Sequence, residues 1–95
     1  MLFINNNITI TYMQQLKKKN LVALAKRIKM LRLERSNSLN KFCFNSGNVT
    51  SATWSRIENA LVDPKFTTLV EVCKMLNISL SELFDNLEVS YEDDF

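Results

Sequence analysis

The sequence predicts an all-α fold, a compact domain of five helices containing a helix-turn-helix, and three observations carry that prediction. One glycine and one proline in 95 residues are too few for the many tight turns of an all-β domain. Apolar residues recur at spacings of three and four from Leu21 onward, the period of helices with one buried face. Ser38, Thr50 and Ser79 each stand just before such a run, where a side-chain oxygen caps a first turn. Hydrophobic residues at 46% and charged residues at 23% match an ordinary globular domain with a modest core.

The first element is the least regular. Residues 1–16 carry no charged side chain, and Ile8, Thr9, Ile10, Thr11 and Tyr12 alternate apolar with polar. That pattern predicts an N-terminal arm, either disordered or extended as a short strand, and such a strand has no sheet to join. The stretch lacks the basic start and unbroken apolar run of a secretory signal, and no run approaches the roughly 20 apolar residues of a membrane span. A cytoplasmic protein without membrane contact is expected.

The domain proper is expected over residues 17–87. Leu21, Leu24, Ala25, Ile28 and Leu31 form the inward face of a first helix from about Leu16 to Arg35, with Lys26, Arg27, Lys29 and Arg32 at other angles. Ser38 opens a second helix, about Leu39 to Asn45, which turns Phe42 and Cys43 inward. Asn45, Ser46, Gly47 and Asn48 make a turn in which Gly47 supplies a positive φ. Thr50 caps a third helix with Trp54 and Ile57 inward and Ser51, Ala52, Ser55 and Arg56 outward. After a loop closed by Pro64, a fourth helix from about Phe66 to Leu76 is expected to bury Phe66, Leu69, Val70, Val72, Cys73 and Leu76. Ser79 caps a fifth, with Leu80, Leu83, Phe84 and Leu87 on its apolar side. Residues 88–95 form an acidic tail.

The charge is divided along the chain. Residues 1–57 hold ten Lys or Arg and one acid, whereas residues 58–95 hold two Lys and nine acids. A basic half suits a polyanion, because each cation brought near a phosphate displaces condensed counterions. The same lysines would equally serve to solvate one helix face, so charge alone leaves both readings open. With no histidine and only Cys43 and Cys73, the disulfide, zinc and histidine-centred chemistries lose their usual members. The carboxylates gather in the tail without a base or a glycine-rich phosphate loop. No enzyme, metal or cofactor is expected.

Leu24 to Arg35, followed by SLNKFC, TWSRIEN, DPKFTTL and MLNISLSELF, resembles the Cro and phage-repressor-like helix-turn-helix family, also called XRE, over about residues 21–85. The resemblance implies a lambda-repressor-like DNA-binding domain: a small transcriptional regulator, in the first place a repressor, with its third helix in the major groove of a palindromic operator. Ser51, Ala52, Ser55 and Arg56 would then face base edges. Arg56 has the chemistry to pair bidentately with guanine, against the alternatives of a phosphate contact or an ion pair. Asn40, Lys41, Thr50, Asn59 and Lys65 would contact phosphates, although Lys65 also reads as a solvated loop lysine.

By the same resemblance Arg32 and Glu58 form an ion pair between the first and third helices, and Trp54 belongs to the core rather than to a stacking platform. Cys43 and Cys73 stand where the family has small core residues, as buried thiols without a disulfide. Leu39 occupies the place of a family glutamine. Ala60 stands where glycine is preferred, with Asn59 as the other candidate for a left-handed conformation. A homodimer is implied, meeting through Leu80, Leu83, Phe84, Leu87 or Tyr91. A function of another class stays open: an antitoxin whose tail, LEVSYEDDF, neutralises a partner toxin while DNA binding autoregulates its operon.

Overall fold

The computed structural model describes residues 5–91, and among them all regular structure is helical: α1 (Asn5–Leu33), α2 (Leu39–Ser46), α3 (Ser51–Glu58), α4 (Phe66–Leu76) and α5 (Leu80–Phe84). The caps fall where the sequence places them. Ser38 accepts a hydrogen bond from the Lys41 N–H, and Thr50 from the Thr53 N–H. Ser79 forms a reciprocal capping box with Glu82, satisfying two backbone donors at once. No helix among the described residues is long and apolar enough to cross a membrane.

α1 corrects one expectation. Its 29 residues span about 43 Å at the usual helical rise, and it begins at Asn5 rather than near Leu16. The arm or strand expected around Ile8 to Tyr12 is helical instead; residues 1–4 lie outside the described residues. Lengthening a helix already nucleated adds a backbone hydrogen bond for each residue fixed, whereas an unpaired strand adds none. Continuation therefore outweighs the modest strand preference of Ile8, Thr9, Ile10 and Thr11.

The core forms where one face of α1, carrying Ile28 and Leu31, meets the inward residues of the other helices. Trp54, Ile28, Leu76, Leu83 and Val72 are its largest fully buried side chains. Phe42 packs edge-on against Trp54, with ring centroids 5.0 Å apart at 68°, a favourable aromatic geometry. Cys43 and Cys73 are buried and unbridged. Burial pushes both thiols above their ordinary range, and the Glu58 charge raises Cys43 further against a smaller opposite effect of Arg32.

Two aromatic assignments are corrected. Phe66, expected inward, is 67% exposed: it is the first residue of α4, and a helical side chain leans toward the N-terminus, which here carries the ring past the end of the packed stripe. Phe84 is 43% exposed, because α5 is only five residues long and turns Leu83 fully inward. Leu87, expected on the same helix, follows its end.

Polar side chains on α1 and just beyond its end reach the ends of the other elements. Arg35 Nε donates to the Leu76 carbonyl at 2.7 Å, at the close of α4. Arg27 donates to the carbonyls of Leu83 at 3.1 Å and Glu82 at 2.8 Å, at the close of α5. Last-turn carbonyls such as those of Leu76 and Leu83 have no i+4 donor within the helix, Glu82 also accepts from the Asp85 N–H at 3.3 Å, and cations suit the negative end of a helix. Asn20 closes a reciprocal pair with the Ser90 backbone, donating to its carbonyl at 2.9 Å and accepting from its N–H at 2.8 Å. The start of the acidic segment is thus clasped to α1 at Ser90.

Candidate nucleic-acid interface

Residues 47–50 join α2 to α3. Gly47 has φ of +88° and its N–H donates to the Cys43 carbonyl at 2.9 Å. A Cβ there would meet nothing within 4 Å, so the left-handed backbone alone calls for glycine. Val49 is buried in the core, and Asn48 Nδ2 donates to Glu71 Oε1 at 2.7 Å. The turn is held from α4 as well as from its own ends.

α3 is fixed at its C-terminal end. Arg32 meets Glu58 bidentately, Nε to Oε2 at 2.9 Å and Nη2 to Oε1 at 2.7 Å. The two side chains are only 6% and 5% exposed. The Trp54 indole N–H donates to the same carboxylate at 2.6 Å, and Arg32 Nη1 reaches the carbonyls of Ser36 and Asn37. The Glu58 hydrogen bond raises the Arg32 pKa despite the opposing cost of burial. Among the described residues every buried side-chain nitrogen or oxygen has a hydrogen-bond partner. The charge pair is therefore fully compensated, as a buried pair must be.

With Trp54 and Ile57 inward, Ser51, Ala52, Ser55 and Arg56 share the opposite arc of α3, at positions i, i+1, i+4 and i+5. Ala52 and Arg56 are exposed, and Ser51 and Ser55 are partly so. Arg56 takes part in none of the ion pairs among the described residues. Asn40, Lys41, Thr50 and Ser51 line one open groove between α2 and α3, so four of the expected contact residues come together. α2 contains no acid, and the one acid of α3, Glu58, is buried. The outward surface of this helix pair is uncharged or positive.

Two expected phosphate contacts sit differently. Asn59 folds back onto α3, its Nδ2 donating to the Ser55 carbonyl at 2.7 Å, so its amide donors face the helix end rather than a partner. It keeps φ of −101°, and Ala60 takes the left-handed conformation at +56°. Lys65 is exposed at the N-cap of α4, where it makes no side-chain cap, and it does not line the groove.

Phe44 was missed by the sequence reading. It is 88% exposed and lines the groove beside Lys41 and Ser51. The signal was available: Phe44 lies two residues beyond Phe42, which is about 200° around a helix, so one inward ring forces the other outward. Of the basic residues of the first half, Lys19, Lys26, Lys29, Lys41 and Arg56 are exposed and outside the ion pairs described, while Arg27, Arg32 and Arg35 are engaged in holding the fold. No family model, curated protein or solved structure matches the chain.

Proposed function

We propose that the chain is a sequence-specific double-stranded DNA-binding protein of the XRE helix-turn-helix kind, a small transcriptional regulator and in the first place a repressor, which sets α3 in the major groove. The observation that carries this reading is Arg56, an exposed guanidinium outside any described ion pair, on the outward arc of a helix anchored at its root by a buried charge pair. Rigid presentation of a planar donor fork is what bidentate guanine recognition requires. Ser51, Ala52 and Ser55 share that arc as weaker readers, and Asn40, Lys41 and Thr50 supply backbone contacts across the adjoining groove. The absence of exposed acid on α2 and α3 supports approach to phosphate.

Such a module gains affinity as a two-fold dimer on half-sites about one helical turn apart. Leu83 lies in the monomer's core and Leu80 packs against it, which leaves Phe84 and Tyr91, 43% and 88% exposed, and the half-buried Leu87 for a second copy. Selection from a randomised duplex library tests the reading, with wild type and Arg56→Ala in parallel at moderate salt. A palindromic motif that loses a guanine preference in the variant is expected; no enrichment with wild type would overturn it.

The antitoxin reading is favoured by one observation, the exposure of Val89 at 42% and Tyr91 at 88% on the acidic segment, which offers apolar side chains to a basic partner. Copurification with a basic protein encoded beside this chain, lost on removing residues 88–95, distinguishes it.

A further inference from the structure

We propose that Phe44 is a specificity-determining residue whose ring packs against the C5-methyl group of a thymine next to the bases that α3 reads. The inference rests on the DNA-binding reading and extends it to a side chain on α2. An 88% exposed phenyl ring loses the stabilisation that burial would give it, and nothing in the monomer compensates. Its surroundings identify what covers it.

The ring lies in the groove that contains Ser51, at the start of the reading helix, and Lys41, which is suited to a phosphate. No acid lines that groove. A polyanion with an apolar spot within reach matches this arrangement, and thymine provides the one methyl group displayed in the major groove. A protein partner would find no acid in this groove to pair with its own cations, and the strongest nearby charge, Lys41, is positive. Asn40 and Phe44 are four residues apart and therefore on one arc of α2, so a backbone contact by the first holds the second in register.

The test uses the full chain and a duplex of the sequence enriched in the selection, then the same duplex with uracil replacing each thymine in turn. Wild type is expected to lose roughly three- to fivefold in affinity at one thymine, the worth of a methyl contact. Phe44→Ala, melting like wild type because the ring is exposed, is expected to lose about tenfold on the thymine duplex and nothing further on substitution at that position. Phe44→Leu should restore part of the loss. If Phe44→Ala binds like wild type while Arg56→Ala loses the motif, the inference fails and the DNA reading stands. Equal weakening by Phe44→Ala on every sequence would also overturn it, as would a change confined to self-association by sedimentation. If wild type enriches no duplex, both fall.

Discussion

Glu58 accepts from three donors, two on Arg32 and one on Trp54, and so ties α1 to α3 at a point water does not reach. Glu58→Gln removes the negative charge and leaves the Arg32 guanidinium buried without compensation, an error that costs about 3 to 5 kcal/mol. Urea denaturation should show that loss, far above the about 0 to 1 kcal/mol of an exposed pair. Ala60 offers the opposite test. Its Cβ is strained at φ of +56°, so Ala60→Gly should relieve about 1 kcal/mol, offset in part by the greater freedom of glycine in the unfolded chain; a midpoint shift of about 0.5 kcal/mol toward stability is expected. At this scale the Arg32–Glu58 pair was legible from the resemblance, and the left-handed residue was narrowed to Asn59 or Ala60. The Trp54 bond was not legible, because an inward indole looks the same in sequence whether its N–H has a carboxylate partner or a carbonyl.

Among the elements, the caps were the most readable feature, because a Ser or Thr acts on N–H groups two or three residues away and needs no tertiary information. Replacing Ser38, Thr50 or Ser79 with Ala should each cost about 1 kcal/mol, with Thr50→Ala also loosening the start of α3, visible as faster amide exchange at Thr53. Boundaries that depend on neighbours were less readable. The start of α1 depends on continuation from a helix already packed, and the exposure of Phe66 depends on where the body of the protein ends. Phe44 followed from helical geometry once Phe42 was set inward, yet composition alone gives no reason for a bare aromatic ring at the end of α2.

For the whole molecule, the dipolar charge of the sequence takes on a spatial meaning. Glu88 lines a groove with Lys19 and Lys26, and the Asn20–Ser90 pair holds that segment on α1, so part of the basic face is opposed by the chain's own Glu88. Removing residues 88–95, which takes away four acids and no base, should raise affinity for an arbitrary duplex at low salt and lose that advantage as salt rises. Lys41→Ala should instead reduce the slope of log affinity against log salt by about one while leaving sequence preference intact. Both are read from the same salt titration. Arg27 on α1 and Arg35 just after it have a further consequence, for the way the molecule comes apart. Since Arg35 and Arg27 donate to the last carbonyls of α4 and α5, the C-terminal ends of both helices lose a partner when α1 is undocked, and α3 then lacks its charge partner. No helix of the set is equipped to persist as a separate folding unit, so loss of far-ultraviolet ellipticity and the change in fluorescence of Trp54, the only tryptophan, should trace one coincident, all-or-none transition.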